Sequence, residues 1–289
     1  YGALRLDRHE DDFVLDRHRP EWFHNHHETT GALLDLSLRG SWGEWSWATG
    51  VEATNEDIRS TNLGPHDQNR PALFAEIGRL SGPVTFALQG RIDNHDKWGV
   101  VTTGAISGRW RFLPDWAVRA SAGESFRAPS FTDLYYNSPS TTGNAYLEPE
   151  RGHTLEIGLE GAVTSLTVFR READPLIDYL LDEEGVWRAD NLGRSTTNGI
   201  EAAMALPVFG PLVWQRVGAT WLQSDIDVDS TRSRYALSHP RLEAAWTGGA
   251  EAVDGWRAGW ALRYREPESG GSWTVLDLRL GRRILSQMW

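Results

Sequence analysis

Apolar and polar residues alternate along most of this chain, the spacing at which successive side chains of an extended strand point to opposite faces. In Pro83 to Ile92, Val84, Phe86, Leu88 and Ile92 fall on one face, and Thr85, Ala87, Gln89 and Arg91 on the other. Trp256 to Tyr264 divides the same way, with Trp256, Ala258, Trp260, Leu262 and Tyr264 opposite Arg257, Gly259, Ala261 and Arg263. Further copies carry Trp45/Trp47/Val51, Ile106/Trp110/Phe112, Trp116/Val118/Ala120/Ala122, Leu155/Ile157/Leu159, Ile200/Met204/Leu206 and Leu276/Leu278/Leu280 on the apolar face. The pattern predicts roughly 12 to 14 antiparallel strands of about 8 to 12 residues, the length a tilted strand needs to cross a bilayer.

The breaks between these segments are of two kinds. Arg39 to Gly43, Leu80 to Pro83, Leu113 to Asp115 and Phe209 to Pro211 are short, whereas Asn55 to Arg70, Ser125 to Arg151, Leu181 to Ser195 and Ser224 to Ser233 are long and polar. An up-and-down barrel visits its two rims alternately, so tight turns at one rim and long loops at the other give this pattern. A soluble antiparallel sandwich also alternates. Three features favour the barrel: Arg and Glu on the polar face of nearly every strand, Trp and Tyr near strand ends, and no repeated helical segment to cover a sheet. The fold class expected is an all-β, antiparallel transmembrane barrel.

Composition narrows the function. A net charge of -11 and the lack of any Lys/Arg-rich run argue against nucleic acid as a partner. With no cysteine, thiolate metal sites and thiol nucleophiles are unavailable. Apolar runs end after a few residues, as Ala202 to Leu206 does at Pro207, so no α-helix here spans a bilayer. The 15 Trp are several times the usual number for a soluble domain of this length.

One stretch carries a more specific signal. SFRAPSFTDLY (residues 125–135), GNAYLEPE (143–150) and the strand HTLEIGLEG (153–161) closely resemble the C-terminal barrel region of TonB-dependent outer-membrane receptors. The matching positions are Arg127, Ala128, Pro129, Leu134, Tyr135, Gly143, Asn144, Leu147, Pro149 and Glu150. DPLIDYLL and WRADNLGRSTTNGIEAAMAL look like the family's next hairpin, with Asn191 and the Gly199-Ile200-Glu201 strand start. The resemblance runs loosely over the whole chain and is most like the cobalamin and siderophore branches.

It implies an outer-membrane receptor of a Gram-negative bacterium that takes up a scarce ligand too large for porins, such as a cobalamin or an iron-siderophore chelate. Its partners would be that small-molecule or metal-chelate ligand, outer-membrane lipids, and the energy-transducing protein TonB, engaged through an N-terminal region. Against the family pattern, residues 1–289 are expected to be a partial barrel of roughly 12 to 14 of about 22 strands. The N-terminal plug and the last strands are expected to lie outside it, and Trp289 lacks the context of the family's terminal aromatic. Tyr135, Tyr136, Asn137, Trp187 and Arg188 are the candidate ligand contacts; the Arg127 to Glu150 motif is expected to set loop and strand geometry. An outer-membrane porin or barrel enzyme is the alternative.

Metal and catalytic candidates are weaker. His24-Asn25-His26-His27-Glu28 places three imidazoles and a carboxylate in five residues, but neighbouring side chains of an extended segment diverge, and a solvated loop accounts for them more simply. The resemblance raises calcium in outer loops. Asp225, Asp227 and Asp229 share one strand face, and Glu10 to Asp12 and Asp182 to Glu184 are also acidic, yet no EF-hand glycine and bidentate Glu follow. Ser121 to Ser125 is not a Gly-x-Ser-x-Gly elbow, and no Ser/His/acid trio is identifiable, so no catalytic residue is expected.

Overall fold

The computed structural model describes residues 1–227, 233–234, 239–252, 255–268 and 270–282. Each alternating stretch lies on a strand. The first seven in the chain are β1 (Gly2–Val14), β2 (His24–Trp42), β3 (Trp45–Ser60), β4 (Gly64–Ser81), β5 (Val84–His95), β6 (Gly99–Leu113) and β7 (Trp116–Arg127). A short helix, α1 (Phe131–Tyr135), and two-residue strands β8 (Asn137–Ser138) and β9 (Thr141–Thr142) follow. Then come β10 (Glu150–Glu160), β11 (Thr164–Asp174), β12 (Leu176–Leu181), β13 (Trp187–Leu192), β14 (Ser195–Ala205), β15 (Leu212–Ile226), β16 (Pro240–Glu251), β17 (Trp256–Pro267) and β18 (Trp273–Arg282).

Fourteen of these form one antiparallel meander, β1-β2-β3-β4-β5-β6-β7-β10-β11-β14-β15-β16-β17-β18, each paired with its neighbours in the chain apart from two excursions. The excursions make a second sheet of four strands, ordered β12-β13-β9-β8. At one rim Gly43-Glu44, Gly82-Pro83 and Pro114-Asp115 join strands in tight turns. Gly43 and Gly82 take φ of 59° and 62°, the left-handed region a Cβ disfavours.

The two faces of the wall have opposite chemistry. Leu36, Leu88, Ile106, Leu155, Ile157, Val168, Ile200 and Leu278 point outward and are exposed, Leu278 by 75%. So many bare aliphatic side chains in register suit hydrocarbon rather than water. Trp42, Trp110, Trp214 and Trp256 are exposed near the tight-turn rim, the position of an interfacial aromatic girdle. The other face carries ion pairs: Arg91 with Glu52 of another strand at 2.7 Å and with Asp93 of its own at 2.9 Å, and Arg119 across the ladder with Glu156 and Glu160. A second sheet packed on this one would bury an apolar face; the described residues instead gather their apolar core in the excursions, which rules out the sandwich.

Several ladder pairs set a glycine opposite an aromatic ring: Gly40 with Trp47, Gly50 with Phe74, Gly199 with Phe169 and Gly248 with Trp260. At each, the ring lies where a Cβ would stand, so the glycine is a socket for the neighbouring strand's side chain.

Some boundaries differ from the sequence expectation. Asn55 to Arg70 is not a loop, because β3 and β4 run through it and turn only at residues 61–63. Polar side chains stitch the extension, with Asn55 Nδ2 donating to Asn69 Oδ1 at 2.9 Å and Gln68 Nε2 to Glu56 Oε2 at 2.7 Å. Backbone pairing, not apolar content, sets the strand's length. For the same reason His24 to Glu28 begins β2 rather than lying in a loop. At 19, 16 and 18 residues, β2, β3 and β4 exceed the ~11 needed to cross a bilayer and project beyond it. The Leu181 to Ser195 segment likewise contains β13.

Candidate functional site

At the long-loop rim the chain leaves β7 at Arg127 and returns at Glu150, and these residues are direct ladder partners. Arg127 donates from Nε and Nη2 to the two Glu150 oxygens at 2.7 and 2.8 Å, and its Nη1 lies 3.4 Å from Asp133 Oδ2. Glu150 Oε1 also accepts the Ile177 N–H at 2.7 Å, so one carboxylate ties β7, β10 and β12. Pro129 is buried and has no N–H to offer a ladder, which ends strand pairing there. Ser130 then caps α1: its Oγ accepts the Asp133 N–H at 3.1 Å, while the Asp133 carboxylate accepts the Ser130 N–H at 3.0 Å.

The return path packs against that helix. A Cβ on Gly143 would stand 2.8 Å from Asp133 O, the Leu134 carbonyl carbon and Tyr135 N, so only glycine fits. Asn144 N donates to Asp133 O at 2.8 Å, and Asn144 Oδ1 accepts the Tyr146 N–H at 2.9 Å. Leu134 and Leu147 are both buried. Ala128 and Pro149 are half-buried at the two ends of the excursion.

The second excursion is the β12–β13 hairpin. At its turn Asp182 Oδ1 accepts the Val186 and Glu184 N–H groups at 2.8 and 2.9 Å, and Oδ2 accepts Arg188 Nε at 2.6 Å. The Val186 N–H first, then the neighbouring guanidinium, hold this carboxyl below the ordinary aspartate value. β13 pairs in parallel with β9, Trp187 opposite Thr141 and Arg188 opposite Thr142. Leu134, Leu147, Ile177, Tyr179 and Ala189 form a common core, with Trp98, Tyr135 and Trp187 against it. Asn191 completes the join: its Oδ1 accepts Glu148 N at 2.7 Å and its Nδ2 donates to Glu148 O at 2.9 Å. The two loops are therefore one folded body.

That body is fastened along the rim. Asn137 and Asn62 exchange hydrogen bonds, linking β8 to the β3–β4 turn. His66 of β4 stacks on Tyr135, ring centroids 3.6 Å apart and 11° from parallel. Lys97 in the β5–β6 turn donates to Ala145 O at 2.7 Å. On the far side Ser233 Oγ donates to Asp178, and the Arg234 guanidinium lies 5.6 Å from the Trp187 ring centroid. The body is thus attached from the β3–β4 turn to residues beyond β15, and His66, Arg127 and Glu150 meet it from the polar face of the wall.

The five candidate ligand residues all lie in this body with different surroundings. Tyr135 and Trp187 are half-buried against the common core. Tyr136 closes α1, its N–H donating to Thr132 O at 3.2 Å. Asn137 is taken up by Asn62. Arg188 is exposed but paired with Asp182 and, at 3.5 Å, Glu184. The sequence reading missed the small sheet, His66, Lys97 and the Arg127–Glu150 clasp; opposite charges bracketing one loop were the available signal for the clasp.

Among the described residues no group of three or more His, Asp and Glu is placed to hold a metal ion. His24 and His26 both face Asp12, the latter at 3.8 Å, while His27 falls on the opposite face of the strand, in ladder register with Asp11. For calcium, Asp182 is already occupied by three N–H donors, Asp225 and Asp227 stand at the end of β15, and Asp229 lies outside the described residues, as does Trp289. Ser121 and Ser125 are strand residues of β7.

A family model described as TonB dependent receptor-like, beta-barrel matches residues 4–286. The vitamin B12 transporter BtuB of Vibrio cholerae serotype O1 is 28% identical over 162 residues, 54% of this chain and 26% of the relative. BtuB of Vibrio vulnificus strain YJ016 is 27% identical over 215 residues, 69% and 33% of the two chains. The ferric enterobactin receptor PfeA of Pseudomonas aeruginosa, in a Q482A mutant complexed with enterobactin, superposes with a TM-score of 0.77 at 15% identity, covering 98% of this chain and 52% of that one. The chain thus spans about a quarter to a third of those curated relatives and about half of the solved receptor.

Proposed function

The chain belongs to the TonB-dependent receptor family through its β-barrel, a family of the Gram-negative outer membrane, and from that premise we propose that it is part of an active-transport receptor for a scarce, large ligand. Cobalamin and iron-siderophore chelates are the two ligand classes the relatives' names suggest. Uptake is energised through TonB, which engages a part of the receptor beyond this barrel portion.

The observation that carries the reading is the single folded body made by the paired loops. In a passive porin the long loops need not form a common body; here two of them are bound by a shared sheet, a buried apolar core and the Arg127–Glu150 clasp into one fixed body at the polar face of the wall. A rigid platform lowers the ordering entropy a ligand must offset on binding, as a receptor for a dilute nutrient requires. Tyr135, Tyr136, Asn137, Trp187 and Arg188 are proposed as contacts on or beside that platform.

Outer-membrane preparations carrying the receptor provide the test, because binding itself needs no energy source. Saturable, competable binding of cyanocobalamin or a ferric siderophore is the expected result. Ion conductance without saturable binding of any such ligand would point to a passive pore instead.

A further inference from the structure

His95 ends β5, one step past Val100, the outermost exposed aliphatic of the β5–β6 pair, and stands opposite Gly99 at the mouth of the turn. It is 6% exposed, its ring centroid 5.9 Å from that of Trp98 and 5.1 Å from that of Phe126. Burial among rings favours a neutral imidazole, because the charged form gives up its water there. Among the described residues no carboxylate lies within 4.0 Å of its nitrogens.

The charges around it do not offset that cost. On β4, two residues past the Ala72–Asp93 ladder pair and on the same face, Arg70 has no ion pair among the described residues, and its Nε is buried without an acceptor. On β5, Arg91 occupies both Asp93 oxygens at 2.9 Å. In the turn, Asp96 accepts the Asn69 N–H at 2.8 Å. On β7, Phe126 presents its ring, and the Arg127 that follows is held by Glu150. Burial first, then the Arg70 charge, hold His95 below the ordinary histidine value, against the smaller opposing pulls of Asp93 and Asp96.

His95 stands at a joint between the wall and the loop body. Of the residues that follow it, Lys97 donates to Ala145 O at 2.7 Å and Trp98 packs against the common core. Its other ring neighbour, Phe126, leads directly into the Arg127–Glu150 clasp.

We propose that His95 is an acid-sensitive latch on the loop body. Neutral, its ring sits between Trp98 and Phe126 and holds the β5–β6 turn in place; protonated, it leaves that seat, and Lys97 and Trp98 let go of the body. A histidine depressed in the closed joint binds its proton more tightly once the joint opens. Closure is therefore fully supported above the ordinary value of 6.5 and weakens as pH falls below it towards the closed value. One proton taken up on opening raises the open-to-closed ratio by at most about tenfold between about pH 7.5 and 5.5.

Hydrogen exchange of the detergent-purified receptor across that pH range, corrected for intrinsic rates, tests the latch. Peptides covering 96–101 and 131–147 should exchange faster together at the acid end, by several-fold and by no more than the tenfold limit. His95→Phe keeps a ring between Trp98 and Phe126 and should make the profile flat; His95→Gln, a second neutral replacement, should do the same. His66→Phe, at the other histidine that touches the body, should leave the acid response in place. A flat profile in the unmodified receptor, an acid response that persists in His95→Phe or His95→Gln, or one that His66→Phe abolishes would overturn the proposal.

Discussion

Replacing Glu150 by Ala should loosen both excursions together. Its carboxylate is nearly buried, with 13% of the side chain exposed, and accepts three hydrogen bonds: two from Arg127 and one from the Ile177 N–H. Breaking a fully buried pair costs about 3–5 kcal/mol and an exposed pair about 0–1. The Arg127 side chain is 48% exposed, so its share is discounted for solvent screening. The half-buried Ile177 N–H left without an acceptor adds about 1 kcal/mol. Together these give about 2 kcal/mol against the closed loop body, or roughly a 30-fold increase in its opening equilibrium at 1.4 kcal/mol per tenfold. Hydrogen exchange followed by mass spectrometry reads this directly. Peptides covering 131–147 and 176–192 should exchange faster by that factor and in concert, while strands β4 and β15 should be unaffected. If only the loop that carries residue 150 speeds up, the two excursions are not one cooperative unit and the reasoning is wrong.

Gly143→Ala forces a methyl against three backbone atoms of α1 and should weaken the loop body by about 2 kcal/mol, seen as faster proteolysis within 136–147. Gly199→Val should displace Phe169 from its socket and lower stability by about 1–3 kcal/mol, measured as a lower temperature for loss of heat-modifiable gel mobility. Leu88→Arg on the outward face should destabilise by about 2–4 kcal/mol in bilayers, whereas Gln89→Arg at an exposed position of the inward face, beside Glu76, should be far milder; equal effects would contradict the assignment of faces. The Asp182 carboxyl is depressed in the folded hairpin, so its contribution is complete above the ordinary value of 3.8 and is lost as pH falls through the lower folded value. Exchange at Glu184 and Val186 should therefore be flat from neutral pH down to the ordinary value of 3.8 and rise below it, after correction for intrinsic rates, and Asp182→Asn should abolish that acid-side rise.

The barrel wall was legible because a lipid-facing strand must alternate, and the faces of β5, β10 and β17 could be read directly from Val84, Leu155 and Trp256 onward. Strand ends were less legible. Above the membrane both faces of β2, β3 and β4 are polar, so Asn55 to Arg70 reads as a loop although its backbone is paired throughout. The loop body was hidden for another reason. Its core joins Leu134 and Leu147 to Ile177, Tyr179 and Ala189 from a later excursion, and β8, β9 and β13 are too short for periodicity to register. Arg127 and Glu150 were visible as family positions, while the clasp between them is a consequence of β7–β10 register. Lys97 and His66 act through neighbours distant in sequence, which no local pattern announces.

Energised uptake through the outer membrane is the proposed work of the receptor that contains this barrel. The direct measurement is accumulation of radiolabelled cyanocobalamin and of radiolabelled ferric enterobactin by cells lacking their own receptors and expressing this one, with and without TonB. One of these ligands should accumulate above its external concentration only when TonB is present. Accumulation that is indifferent to TonB, or equal entry of small unrelated solutes, would contradict it.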